Sequence, residues 1–212
     1  MKRIKIPSAT VGRLSTYGRV LIQLEEEGVE VASSAQLAAR CGLNPAQIRK
    51  DLAYFGEFGI RGVGYRVKEL KDNLKDILGV TKVWRVALVG AGNLGSALAA
   101  YKGFLAHGFQ IDAIFDKSPS HCVMAGVDGA EVLDVQQIKQ VVPQKGIKIG
   151  IVAVPQEGAQ SVVDLLVEAG VQGILNFAPM RPNVPEFVKV KSVDLGSELE
   201  SLSFYLSKPS RG

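Results

Sequence analysis

The stretch RVALVGAGNLGSALAAY, residues 85–101, places Gly90, Gly92 and Gly95 in the order G-x-G-x-x-G between an apolar run and a helical pattern. No other feature constrains the chain as much. A buried strand must feed a tight turn at Gly90, the backbone at Gly92 can approach a pyrophosphate, and Gly95 lets a helix pack closely on the strand. Ala91, Asn93 and Leu94 complete the turn, where the first N–H groups of the helix and its positive dipole end meet an anion. Twenty-one residues past Gly95 stands Asp116, closing the apolar run 111–115. A carboxylate there accepts from both hydroxyls of an adenine ribose and repels a 2′-phosphate, which favours NAD(H) over NADP(H). Lys117, next in the chain, works against that preference. The alternatives are another nucleotide, such as coenzyme A, or a turn that keeps its shape without a ligand.

From Val83 onward short apolar runs at 86–90, 111–115, 149–154 and 171–175 alternate with helical stretches near 93–106, 134–142 and 157–169. That rhythm predicts an α/β fold with a doubly wound parallel sheet, the Rossmann architecture, whose ligands lie beyond the carboxyl ends of the strands. Two turns fall at such ends: Ala153-Val154-Pro155 and Asn176-Phe177-Ala178-Pro179. Their apolar residues would wall a nicotinamide ring; ordinary loop chemistry accounts for them equally. The amphipathic SELESLSFYLS, 197–207, lies past the last clear strand and packs either on its own sheet or on a partner chain.

The fingerprint begins late, so the preceding residues need their own explanation. Residues 1–82 hold fourteen Lys and Arg against nine Asp and Glu, while the rest holds eleven against twelve. The net charge of +4 therefore sits in the first part, which suits a polyanion partner. Val11, Leu14, Val20, Leu21 and Leu24 mark an amphipathic helix over 8–27 that stops at Gly28. Ser33 and Ser34 cap AQLAARCG, and Asn44 with Pro45 opens AQIRKDLAYFGEF after the short turn at Gly42. These helices have the outline of a helix-turn-helix. On the last of them Gln47 suits adenine, Arg49 and Lys50 suit guanine edges or phosphates, and Tyr54 lies near its end. A solvated face over Arg49-Lys50-Asp51 is the plainer reading. Gly59, Gly62 and Gly64 then alternate with Arg61, Tyr65 and Arg66, a pattern for a hairpin wing or a simple exposed turn, before a helix over 67–78. The expected division is a winged-helix domain over 1–80, a dinucleotide-binding domain over 81–195 and a C-terminal helix and tail over 196–212, with GVTK at 79–82 as linker.

No run reaches the ~18 apolar residues of a membrane span, and MKRIKIPSAT lacks an apolar signal core, so a cytoplasmic protein without a membrane partner is expected. Cys41 and Cys122 lack metal-ligand spacing and read as free thiols, with no metal. An oxidoreductase needs a positioned acid or base. The two histidines, His107 by a helix end and His121 in a polar loop, read as structural or solvent-facing, and no Tyr-x-x-x-Lys pair follows the fingerprint. An NAD-dependent oxidoreductase with an accessory N-terminal domain is the second reading. The first is a binding protein, not an enzyme, in which the cofactor is a signal.

The stretches IPSATVGRLSTYGRVL, SSAQLA, QIRKDLAYFGEFGIRGVGYRV, LVGAGNLGSALAAYKGF, IGIVAVP, AGVQGILNFAP and VDLGSELESLSFYL together closely resemble the Rex family of bacterial redox-sensing transcriptional repressors. The resemblance implies a homodimer with N-terminal winged helices, C-terminal Rossmann domains and a C-terminal helix exchanged between subunits. It implies a palindromic operator in double-stranded DNA, bound when NADH is scarce and released by NADH, with NAD⁺ the weaker ligand. By the same resemblance, the helix bearing Gln47, Arg49 and Lys50 enters the major groove and Arg61 meets the minor groove or backbone. Ser33, Ser34, Asn44, Tyr54, Gly62 and Tyr65 would flank the DNA, and Arg19, Tyr101 and Asp194 would couple the two domains.

Overall fold

The computed structural model describes residues 6–121 and 131–207, which places Cys122 outside it. The chain divides into two compact units, Met1–Lys82 and Val83–Gly212. The first unit runs α1 (Ser8–Glu26), β1 (Val31–Ala32), α2 (Ser34–Cys41), α3 (Pro45–Ala53), β2 (Tyr65–Arg66) and α4 (Val67–Leu78). The punctuation residues act as their chemistry requires. The Ser33 side chain accepts from the Gln36 N–H while Gln36 reaches back to the Ser33 N–H. Gly42 ends α2 at φ 65, a left-handed conformation that a side chain would strain. Asn44 accepts from the Gln47 N–H and Pro45 opens α3. Helix α3 ends at Ala53, short of the run to Phe58 that the apolar pattern suggests; Gly56 follows at φ 144, off the helical path.

Leu14, Tyr17, Leu21, Leu37, Ile48, Leu52, Leu70 and Leu74 form the core of this unit. Each such side chain contributes about 1.5–3 kcal/mol by leaving water. Val11, assigned to the inner face of α1 by its spacing, is 43% exposed, and Thr10 is buried in its place. The Thr10 hydroxyl has a partner inside, Asp51 at 3.1 Å, and the valine has none. Strands β1 and β2 pair antiparallel, and an isolated bridge between Ile60 and Gly64 closes the glycine hairpin of the wing beside them.

The second unit carries a six-stranded parallel sheet of β3 (Trp84–Val89), β4 (Phe109–Asp116), β5 (Val132–Asp134), β6 (Ile149–Val152), β7 (Gly173–Asn176) and β8 (Lys189–Ser192), in the order β5-β4-β3-β6-β7-β8. Helices α5 (Asn93–Ala99), α6 (Gly103–Ala106), α7 (Ile138–Gln144), α8 (Gln156–Glu168) and α9 (Leu195–Ser207) complete it. The winding reverses between β3 and β6, which makes their carboxyl ends the crevice of the sheet. Strand β8, KVKS, is an exposed edge that the apolar pattern does not announce. The single helix expected over 93–106 is two: the chain breaks at Tyr101 and Lys102, where the Tyr101 ring lies so close over Gly103 that a side chain there would collide with it.

Candidate functional site

At the crevice, Gly90 holds φ 103, and a Cβ there would run into the Ala153 carbonyl. A Cβ on Gly95 would strike the Gly90 carbonyl, so close approach of helix to turn requires glycine at both. Gly92 differs: a Cβ there would meet nothing within 4 Å. Its surroundings are open space of the kind a phosphate group would fill. Asp116 is brought to this turn, with Oδ2 accepting from the Ala91 N–H at 2.8 Å and Oδ1 from the Ser118 N–H at 2.9 Å. Asn93, Leu94 and Lys117 are exposed around it, and Ala91 is buried.

The neighbouring strand ends deliver the two apolar turns to the same edge. The Ala153 N–H donates to Val89 and the Phe177 N–H to Val152, so both turns continue the ladder. Val154 and Phe177 are half-buried, and Pro155 and Pro179 exposed. Asn176 is not available to a ligand. It is 0% exposed, its Nδ2 donates to the carbonyls of Ala178 and Met180, and its Oδ1 accepts from the Ala178 N–H. It shapes the turn from below, and Ala178 is buried with it. The residues present thus fit a dinucleotide: an open glycine turn, a carboxylate beside it and an apolar wall at the ends of the next two strands, β6 and β7.

In the first unit a cleft of about 770 Å³ is lined by Ser33, Ser34, Arg49, Arg61, Gly62 and Tyr65 among others. It lies between the helix-turn-helix and the wing, and combines donors of several kinds. Arg49 donates to the Ser34 hydroxyl at 2.8 Å, which holds the guanidinium across α2 and α3. Lys50, Asn44, Arg61 and Gly62 are exposed and Tyr54 half-buried. Tyr65 is 7% exposed and belongs to the core, where burial raises its phenol pKa, so its ring supports the wing instead of presenting itself.

Asp51, which the plainer sequence reading puts on a solvated face with Arg49 and Lys50, is 0% exposed. Its carboxylate accepts from Thr10 Oγ1, Arg13 Nε and Nη2 at 2.6 and 2.8 Å, Tyr17 OH at 2.7 Å and Gln47 Nε2 at 2.9 Å. Burial pushes its pKa up, but these hydrogen bonds outweigh burial and hold it well below the usual carboxylate range. Arg13 and Tyr17 are both pushed up, Arg13 by its bond to Asp51 and Tyr17 chiefly by burial. Sequence spacing offered one signal: Gln47 and Asp51 lie four apart on one helical face. The donors from α1 lie 34 to 41 residues away.

The three residues assigned to coupling each have local partners. Arg19 donates to Thr16, Tyr101 meets Phe104 edge-on with ring centroids 5.1 Å apart, and Asp194 Oδ1 accepts from the Gly196 and Ser197 N–H groups at the start of α9. Among the described residues no group of three His, Cys, Asp or Glu is arranged to hold a metal, and no helix is long and apolar enough to cross a membrane.

A winged helix-turn-helix in one unit and a nucleotide turn at the switch point of a parallel sheet in the other define the class of nucleotide-responsive DNA-binding proteins. Residues 5–53 match the family described as "Putative DNA-binding protein N-terminus" and residues 81–180 the CoA binding domain family. The redox-sensing transcriptional repressor Rex of Syntrophomonas wolfei is 50% identical over 211 residues, covering 100% of both chains. Its counterpart from Syntrophobacter fumaroxidans is 48% identical over 207 residues, 98% of this chain and 99% of that one. The crystal structure of RSP in complex with β-NAD⁺ and operator DNA matches with a TM-score of 0.89 at 38% identity, covering 96% of this chain and 93% of RSP. RSP in complex with β-NADH matches at 0.84 and 36%, covering 96% and 95%. The chain belongs to the Rex family of redox-sensing transcriptional repressors.

Proposed function

We propose that this protein is a homodimeric repressor that binds an inverted-repeat operator and leaves it when NADH binds. The observation that carries the reading is that the likeness to Rex repressors spans both units, so the DNA end and the nucleotide end are matched together. NADH is held for its redox state: nothing is reduced, and binding alone biases the dimer.

In this reading the pyrophosphate lies against Gly92, Asn93 and Leu94, and Asp116 accepts from the adenine ribose. The same carboxylate opposes NADP(H) and coenzyme A, whose riboses carry phosphate, and this favours NADH over the ligand that the second family's description names. Val154, Pro155, Phe177 and Pro179 form an apolar wall for the nicotinamide, with Asn176 and Ala178 holding its turn. Stripping water from the cationic ring of NAD⁺ costs more than from the neutral ring of NADH, which gives the wall its preference. A ligand moves an equilibrium only by such a difference in affinity between states.

Arg49, Lys50 and Gln47 meet the major groove and Arg61 the wing's contact, with Ser33, Ser34, Asn44 and Tyr54 beside them. The operator is an inverted repeat because the dyad of the dimer repeats in the DNA. Helix α9 is the exchanged element. Leu195, Leu199, Leu202 and Leu206 are spaced by four, three and four residues and are 57%, 67%, 58% and 86% exposed, a stripe that calls for a partner chain. Arg19, Tyr101 and Asp194 carry the signal between the domains.

The test is binding of a fluorescent inverted-repeat duplex, selected from a randomised library, with NADH, NAD⁺, NADPH and coenzyme A titrated in. Release by NADH at lower concentration than by the others, with no loss of NADH absorbance at 340 nm, is expected. Consumption of NADH with a small carbonyl substrate would support the oxidoreductase instead.

A further inference from the structure

Gln47 and Asp51 stand one turn apart on α3, the helix assigned to the major groove. The Gln47 amide nitrogen donates to Asp51 Oδ1 at 2.9 Å. Asp51 is itself fixed by four further bonds from Thr10, Arg13 and Tyr17 on α1, so this acceptor does not move. An ionised carboxylate accepts only. The amide of Gln47 therefore has one permitted orientation: turned over, its oxygen would face a buried negative charge. The described residues contain no buried side-chain nitrogen or oxygen without a hydrogen-bond partner, and the structure gives Gln47 Oε1 no partner, so that oxygen faces solvent.

We infer that Gln47 is a specificity-determining residue whose direction of reading is set by Asp51, presenting an acceptor to the groove and selecting a base whose edge carries an exocyclic amine. In the major groove those are adenine through N6 and cytosine through N4, and the second amide N–H of Gln47, not used on Asp51, stays free to donate beside the oxygen, as adenine N7 allows; guanine and thymine offer acceptors where the oxygen reads. Asp51 is a positioning residue that touches no DNA. A free glutamine reads ambiguously, because its amide serves as donor or acceptor at the cost of a rotation. The bond to Asp51 removes that ambiguity before DNA arrives, much as the bond to Ser34 holds Arg49. The difference is that the Ser34 hydroxyl can accept or donate, while the Asp51 carboxylate only accepts.

The inference rests on the proposed operator binding, and the experiment separates the two. The full-length dimer is titrated with its selected inverted repeat and with duplexes in which single adenines or cytosines of each half-site lack the exocyclic amine. Wild type is expected to lose roughly three- to tenfold in affinity at one symmetric position, the worth of one hydrogen bond. Gln47→Ala binds more weakly and is indifferent there. Asp51→Asn is expected to show the same indifference, while the slope of log K against log salt, which counts phosphate contacts, stays that of wild type. Because Asp51→Asn disturbs a buried charge and can impair folding, Gln47→Glu asks the question on a half-exposed side chain. It cannot donate to Asp51 but presents an acceptor whichever way it turns, so discrimination at that position is expected to be kept relative to its own parent duplex. Loss of discrimination in Gln47→Glu, or a wild type that feels no amine which Gln47→Ala ignores, overturns the inference. Failure to select any inverted repeat overturns the operator reading instead.

Discussion

Asp116 Oδ2 accepts a hydrogen bond from the Ala91 N–H at 2.8 Å across 25 residues of sequence, tying the end of β4 to the glycine turn after β3. The carboxylate is thus held at the turn before any ligand arrives, with its other oxygen on the Ser118 N–H. Asp116→Ala is expected to weaken NADH binding roughly tenfold to a hundredfold, the order of one hydrogen bond to a charged acceptor. The same variant narrows the gap between NADH and NADPH, because the repulsion of the 2′-phosphate is gone. Calorimetric titration of both nucleotides checks this, and an unchanged ratio would remove Asp116 from the ribose site.

Two of the three glycines make separable predictions. Gly95→Ala drives a methyl into the Gly90 carbonyl and is expected to destabilise the second unit by about 1–3 kcal/mol, lowering its melting temperature and NADH affinity together. Gly92→Ala adds a methyl to open space, so the melting temperature stays within a degree or two, roughly. Only NADH affinity falls, because the methyl enters the space proposed for the pyrophosphate. Paired thermal melts with and without NADH distinguish the two outcomes.

Much of this was legible because the relevant signals are local. Ser33, Gly42, Asn44 and Pro45 sit where their backbone chemistry puts them, and the fingerprint fixes a strand, a turn and a helix in a dozen residues. The misses have three different causes. Asp51 reads as surface because its donors Thr10, Arg13 and Tyr17 come from another helix, and helix periodicity says nothing about a buried polar cluster. Asn176 at a strand end suggests a ligand group, yet its amide closes the adjacent turn. Strands β5 and β8 escape because three- or four-residue edge strands carry little apolar pattern.

The Asp51 cluster makes the stability of the first unit depend on pH with a definite sign. Its folded-state pKa is depressed, so its contribution is complete above the unfolded value near 4 and is lost as pH falls below it. Tyr17 is raised; its contribution is complete below the unfolded value of about 10 and is lost as pH rises past it. Asp51→Asn is expected to cost about 3–5 kcal/mol at neutral pH, the range for breaking a buried ion pair, with the gap to wild type narrowing below about pH 4. Urea titrations of both proteins at several pH values measure it; a gap that is constant with pH would mean the carboxylate charge is not what matters.

The leucine stripe of α9 predicts how the dimer responds to charge. Leu199→Glu with Leu206→Glu places two carboxylates on a face that is otherwise apolar, and neither leucine is buried within its own chain. The second unit should therefore keep its fold, while light scattering shows dissociation to monomers at micromolar concentration. Operator affinity falls with the dimer, since one half-site is then read at a time. A variant that stays dimeric would place the subunit contact elsewhere.

Tyr101 lies outside the helix that follows the fingerprint, 58% exposed, with its ring over Gly103 and edge-on to Phe104. At position 103 glycine leaves room for that ring, because a Cβ there would overlap its Cζ, Cε1 and Oη positions. Gly103→Ala therefore displaces Tyr101 without touching the glycine turn or the winged helix. Such a displacement leaves NADH affinity and operator affinity each close to wild type but weakens the link between them. In numbers, the NADH concentration needed to release half of the operator is expected to rise several-fold relative to the NADH dissociation constant, a loss of about 1 kcal/mol from a coupling that commonly amounts to 1–3 kcal/mol. Tyr101→Phe serves as the comparison: it keeps the ring and removes the hydroxyl, so it separates the packing of the ring from its hydrogen bonding. If both variants release the operator at the wild-type NADH concentration, the signal does not pass through Tyr101.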